Sequence, residues 1–170
     1  MNIRNLSADV LERARRVKLL LMDCDGVLTD GRLYFTSNGE EMKVFNVRDG
    51  QGLASWHRAG YRSGIITGRD GEKILRARAA ELNISHLKVR SRDKAKDFAE
   101  IIEAEAVKPE DVAYIGDDIG DICLMKLVGF PVAVADAAGE VFPYVIHTTE
   151  KKGGRGAVRE LTDLLLAAKK

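Results

Sequence analysis

Cysteine, proline and an excess of either charge are what this chain has least of. Two cysteines, Cys24 and Cys123, are too few for a disulfide framework and stand in no metal-ligand spacing. Three prolines, with no repeat or low-complexity segment, leave nothing that reads as an interdomain linker. The histidines, His57, His86 and His147, are scattered and read as structural or surface residues. No apolar run approaches the roughly 20 residues of a transmembrane helix. Met1 to Arg16 mixes charges and lacks the apolar centre of a secretory signal. With 27 basic residues against 26 acidic ones, the net charge of +1 argues against a basic nucleic-acid-binding face. At 170 residues, 45% hydrophobic and 31% charged, the chain reads as one globular domain with a sizeable core. The expectation is a cytoplasmic enzyme acting on a small molecule, with neither nucleic acid nor membrane as partner.

Apolar runs of strand length alternate with helical patterns, the signature of α/β architecture with a mainly parallel sheet flanked by helices. Strands are expected at Val17–Met22, Arg62–Ile66, His86–Val89, Val112–Ile115 and Pro131–Val134, with an edge strand at Tyr144–His147. Helices are expected at Gly50–Ala59, Gly71–Leu82, Asp93–Ala106, Ile119–Leu127 and Ala157–Ala168. In the third, Ala95, Phe98, Ala99, Ile102 and Ala106 recur at helical spacing and form a core-facing stripe. One segment breaks the alternation. Arg32–Thr36 and Glu41–Phe45 flank the polar turn Ser37-Asn38-Gly39-Glu40, which predicts a β-hairpin inserted after the first strand. A hairpin alone is marginally stable, so it should pack as a flap or a subunit contact. The segment from Lys151 to Gly156 is the one strongly flexible stretch.

Val17-Lys18-Leu19-Leu20-Leu21-Met22 ends abruptly in Asp23-Cys24-Asp25-Gly26. Ligands of open α/β sheets bind outside the carboxyl ends of the strands, so two acids there stand where chemistry happens. A solvated Asp-rich turn is the plain alternative. The later strand ends count against that alternative, because they bear matching groups. Thr67-Gly68-Arg69 offers a hydroxyl and freely oriented amides for phosphate oxygens. Lys94 offers a point charge, and Gly116-Asp117-Asp118 with Asp121 offers carboxylates for a hard cation, most simply Mg²⁺. Cys24 reads as a small residue pointing into the sheet between two outward acids. Phosphate-monoester hydrolysis is so slow uncatalysed that an enzyme must supply on the order of 20 kcal/mol. An aspartyl-phosphate would split that barrier in two. A second carboxylate would serve the leaving alkoxide and the incoming water.

Asp23-Cys24-Asp25-Gly26-Val27, Thr67, Lys94 and Gly116-Asp117-Asp118-x-x-Asp121 resemble, in order, the four motifs of the haloacid dehalogenase superfamily of phosphatases. That resemblance implies a Rossmann-like core with Asp23 as nucleophile and Asp25 as general acid/base. It implies Mg²⁺ held by Asp23, Asp117 and the backbone carbonyl of Asp25, with Asp118 acting through water or by orientation and Asp121 positioning Lys94. A closer resemblance runs from Val17 to Leu166. The hairpin, Phe45-Asn46-Val47-Arg48-Asp49-Gly50, Ile65 to Arg69, Ala133 to Ala137 and Gly153 to Glu160 are similar to the 3-deoxy-D-manno-octulosonate 8-phosphate (KDO 8-phosphate) phosphatase family. It implies no large cap domain, a homotetramer built through the hairpins, and sites closed by a neighbouring subunit. It places Asn46, Val47, Arg48, Asp49, Gly50, Gly68, Arg69 and Arg78 in the substrate pocket with Asp25 and Lys94. Arg48 would meet a sugar carboxylate, and Arg155 would reach in from the tail. The function implied is hydrolysis of KDO 8-phosphate in lipopolysaccharide synthesis, or of a related nonulosonate 9-phosphate. A phosphoacceptor signalling domain also uses acids, Thr and Lys at strand ends, but Lys94 preceding Gly116-Asp117-Asp118 is the wrong order for one.

Overall fold

A computed structural model describes residues 6–170. Six parallel strands form its centre: β1 (Leu19–Met22), β4 (Arg62–Ile66), β5 (His86–Lys88), β6 (Val112–Gly116), β7 (Phe130–Ala133) and β8 (His147–Thr148). Their order is β5-β4-β1-β6-β7-β8, so the chain leaves β1 toward one edge and later returns to its other side at β6. The carboxyl ends of β1 and β6 thus flank the topological switch point, where open α/β sheets bind ligands.

β1 is buried on both faces, as a central parallel strand must be. Its side chains alternate: Leu20 and Met22 join one hydrophobic cluster, Leu19 and Leu21 the other. The first cluster is covered by Leu53 and Trp56 of α2 (Val47–Arg58) and by Val158, Leu161, Leu164 and Leu165 of α6 (Ala157–Ala168). The second holds Phe98 and Ile101 of α4 (Lys94–Glu105) and Leu124 and Met125 of the short α5 (Ile122–Met125). Leu75 of α3 (Glu72–Leu82) belongs to the first.

The structure departs from the sequence reading at element ends. A helix, α1 (Ala8–Arg16), precedes β1 where none was expected, and Val17 ends that helix instead of opening the strand. Val10, Leu11 and Ala14 turn a narrow apolar stripe onto the first cluster, but charged residues fill the rest of the helix and mask the pattern. Polar contacts also hold the helix: the Ser7 hydroxyl accepts from Val10 N–H at 3.3 Å, and Lys169 Nζ donates to the Arg15 and Val17 carbonyls at 2.7 and 2.6 Å. α2 begins at Val47, three residues before the expected start, because Asn46 caps it by accepting the Arg48 N–H at 2.9 Å. Ile119–Asp121 is a 3₁₀ turn leading into α5. The edge strand shifts to His147–Thr148, since Phe142–Tyr144, with Pro143 in it, forms another 3₁₀ turn.

The expected hairpin is present but shorter: β2 (Tyr34–Thr36) pairs antiparallel with β3 (Gly39–Met42), with a register shift between Tyr34 and Phe35. It is the one insertion between β1 and α2 among the described residues, and no large cap stands over the sheet. Its apolar side chains face outward, with Phe35 65% exposed and Met42 and Val44 each 50% exposed. No helix among the described residues is long and apolar enough to cross a membrane.

Candidate active site

Pairing of β1 with both β4 and β6 brings three predicted residues to one sheet edge. Met22 lies opposite Ile65 and Ile115, so Asp23, Thr67 and Asp117 follow on adjacent strand ends. Asp23 is tied in place through its N–H to the Ile115 carbonyl at 3.1 Å. Its Oδ1 accepts from Cys24 N–H at 2.7 Å and its Oδ2 from Lys94 Nζ at 2.9 Å. Lys94 opens α4 and also donates to Asp121 Oδ1 at 2.7 Å.

Asp121 is fully buried, which a carboxylate tolerates only when its oxygens are hydrogen-bonded. Oδ1 accepts from Lys94 and from the Tyr114 hydroxyl at 2.6 Å. Oδ2 accepts the Asp117 and Asp118 amides at 2.9 and 3.3 Å. These donors make Asp121 the anchor of the site. Burial and the neighbouring Asp121 push the Asp23 carboxyl up to about 6, with Lys94 opposing. Asp117 is pushed up to about 7 by burial and then by Asp121, Asp23 and Asp118. Burial pulls Lys94 down, but the charges of Asp23 and Asp121 and their hydrogen bonds outweigh it and leave the ammonium above its usual range.

Carboxylate oxygens of Asp23, Asp117 and Asp121 lie within 4.8 Å of one another. Such an all-oxygen set suits a hard divalent cation. Three carboxylates gathered this closely around a single ammonium, that of Lys94, are a donor set that fits such a cation. Asp121 has spent its oxygens on the four donors above, so Asp23 and Asp117 are the side chains that could hold the cation directly. Asp118 is exposed and caps Ile119 N–H at 2.7 Å, outside the three-carboxylate cluster. Gly26 has φ +83°, and a Cβ on it would stand 1.9 Å from Asp117 Oδ2, so only glycine lets the acid lie against this loop.

Asp25 faces different partners. Its Oδ1 accepts from Lys43 Nζ at 2.5 Å and from the Thr29 hydroxyl at 3.5 Å, and Arg69 Nε lies 3.6 Å from Oδ2. Thr67 is buried and its Oγ1 accepts the Arg69 N–H at 3.4 Å, with Gly68 between them.

The outer residues are less uniform. Arg48, Lys151, Arg155 and Arg159 line a cleft of about 210 Å³ together with Glu150, Glu160 and Asp163, and Arg155 pairs with Asp30 of its own chain at 3.1 Å. Val47 is exposed. Asn46, beyond its capping role, donates to the Gly154 carbonyl at 3.2 Å. Arg78 is drawn inward, packed against Gly50, paired with Glu81 at 2.8 Å and 5.4 Å from the centre of the Phe45 ring. Asp49, expected in the pocket, has a structural role in the fold. It is buried, and its Oδ1 accepts the Arg159 N–H at 2.8 Å, so it caps α6. The glycines read as flexible are close-approach residues: a Cβ on Gly153 would stand 1.7 Å from the Gly26 carbonyl oxygen. Gly154 N–H donates to the Val27 carbonyl at 2.8 Å.

Residues 66–161 match the family model described as haloacid dehalogenase-like hydrolase. The chain belongs to this hydrolase family. It is 47% identical over 163 residues to the KDO 8-phosphate phosphatase KdsC of Escherichia coli K12, covering 96% of this chain and 86% of that protein. The crystal structure of the KDO 8-phosphate phosphatase from Yersinia pestis superposes with a TM-score of 0.94 at 45% identity, covering 96% of this chain and 88% of that one. The Moraxella catarrhalis KDO 8-phosphate phosphatase, solved with a magnesium ion, a phosphate ion and a KDO molecule, gives a TM-score of 0.90 at 36% identity, covering 95% and 92%.

Two residues of this hydrolase's site escape a sequence reading. Tyr114 sits in an apolar strand and looks like core, yet its hydroxyl holds Asp121. Lys43 follows β3 between exposed Met42 and Val44 and looks like an ordinary hairpin charge, yet it is buried against Asp25. The usable signal was period-2 alternation, which puts Lys43 on the face opposite those two apolar residues.

Proposed function

We propose that this hydrolase cleaves the phosphate monoester of KDO 8-phosphate, releasing KDO and inorganic phosphate for lipopolysaccharide synthesis. The observation that carries the reading is Asp23 held against Lys94 beside Asp117, with a second carboxylate, Asp25, in separate surroundings. The 47% identity to the Escherichia coli phosphatase supports the substrate.

In this reading an Asp23 carboxylate oxygen attacks phosphorus and forms an aspartyl-phosphate while the bond to the sugar oxygen breaks. Asp25 gives its proton to the departing alkoxide. It then takes a proton from the water that attacks the phosphoenzyme, so Asp23 is regenerated and phosphate leaves. Lys94 orients Asp23 and offsets charge as two anions approach. The Thr67 hydroxyl and the backbone amides of Gly68 and Arg69 hold phosphoryl oxygens. Mg²⁺, as in the Moraxella catarrhalis relative, would be held by Asp23, Asp117 and the Asp25 carbonyl, with Asp118 through water, and when bound it neutralises charge on nucleophile and phosphate. Arg48 and Arg155 line the cleft suited to the sugar's carboxylate. The outward apolar face of the hairpin supports assembly into a homotetramer.

A phosphate-release assay with Mg²⁺ over KDO 8-phosphate, nonulosonate 9-phosphates and hexose phosphates tests the substrate. KDO 8-phosphate is expected to have the highest kcat/KM, and similar low values across the series would overturn the assignment.

A further inference from the structure

Lys43 reaches the site from outside the sheet. It follows β3, and the alternation along that strand turns Met42 and Val44 outward and Lys43 inward. Its side chain is 2% exposed, and its Nζ lies 2.5 Å from Asp25 Oδ1. The stem is packed as well, since a Cβ on Gly71 would stand 2.9 Å from Lys43 Cε. A buried ammonium is costly unless paired, so a lysine held this way is poorly explained as solvation of a flap.

The two Asp25 oxygens differ as a result. Oδ1 is committed to Lys43 and, more loosely, to Thr29. Oδ2 is buried without a hydrogen bond, with the Arg69 guanidinium as its charged neighbour at 3.6 Å. Free rotation about the Cβ–Cγ bond would exchange the two. The Lys43 bond prevents that exchange.

We propose that Lys43 is a positioning residue for the reaction: it fastens the general acid/base to the hairpin by Oδ1 and leaves Oδ2 as the oxygen that gives and takes the proton. The inference rests on the reading of Asp25 as general acid/base. The proton passes from Asp25 Oδ2 to the departing sugar oxygen and returns to Oδ2 from the attacking water, while Lys43 keeps its own protons throughout.

Leaving-group dependence separates this role from a structural one. A sugar alkoxide needs a proton as it leaves, whereas p-nitrophenolate leaves without one, and kcat/KM reports the step in which the leaving group departs. Lys43→Met is expected to lower kcat/KM for KDO 8-phosphate by about 10²-fold, in the range of general acid contributions. Its loss on p-nitrophenyl phosphate should stay within about 3-fold. Asp25→Asn, assayed in parallel, is expected to show the same split. Equal losses of Lys43→Met on both substrates, or no loss, beside a split in Asp25→Asn would overturn the role of Lys43 alone. Absence of a split in Asp25→Asn would overturn the acid/base reading and the Lys43 proposal with it. If Lys43→Met fails to fold by circular dichroism, Lys43→Gln, which keeps a polar tip, takes its place with the same outcomes.

Discussion

Asp121 touches no predicted substrate group, yet Lys94, Tyr114 and two backbone amides converge on it. Its value is geometric, because it holds Lys94 at the distance from which Lys94 holds Asp23. Tyr114→Phe removes one donor from a buried carboxylate and should cost about 1–3 kcal/mol in a urea melt. It should also lower kcat more than it raises KM, because Lys94 loses its fixed reference. Asp23→Asn keeps the shape of the side chain and removes the proposed nucleophile. Turnover should fall by about 10³-fold or more with an unchanged circular dichroism spectrum; near-normal turnover would refute the covalent route. Asp23, Asp25, Thr67 and Asp117 could be placed at one sheet edge from sequence because polar residues abruptly following apolar runs mark strand ends, and Lys94 because it opens the next helix. Tyr114 and Lys43 could not, since each fits its strand's pattern and only the third dimension shows what its polar tip meets.

Among the elements, central strands and long helices could be read because their burial writes itself into periodicity. α1 was masked, since its narrow stripe of Val10, Leu11 and Ala14 lies among charges and its end is held by Lys169, far along the chain. The same reason hid Asp49, whose partner amide belongs to Arg159 on α6. Burial raises the Asp49 carboxyl, while the amides of Arg159, Gly156 and Val158 and the nearby Arg78 pull it back. The start of α6 carries no capping side chain of its own, so Asp49 substitutes for one across the fold. Asp49→Ala should destabilise the protein by about 2 kcal/mol, and Asp49→Asn by less. Hydrogen exchange should quicken first at Val158 and Arg159, and unchanged protection there would refute the cross-fold cap.

For the whole molecule, charge and apolar surface set the conditions of activity. Asp23 and Asp117 titrate at about 6 and about 7 in the fold, against an ordinary aspartate value of 3.8. Between about pH 4 and 7 the metal-free fold therefore binds more protons than the unfolded chain, so these groups lower stability as pH rises through that window. A divalent cation competes with those protons. Added Mg²⁺ should raise Tm more at pH 8 than at pH 5 in scanning calorimetry, and an equal rise at both would contradict the carboxylate site. Phe35→Asp on the outward hairpin face should shift the mass measured by light scattering toward smaller species. An unchanged mass would overturn assembly through the hairpin. The packing of Gly153 and Gly154 on Gly26 and Val27 has a consequence for synthesis. The strand that carries Asp23 leaves the ribosome long before the backbone that closes over its loop. A chain stopped at residue 150 would contain every acid of the site and still lack the wall behind the Asp25 loop, so competence waits for Gly153 and Gly154.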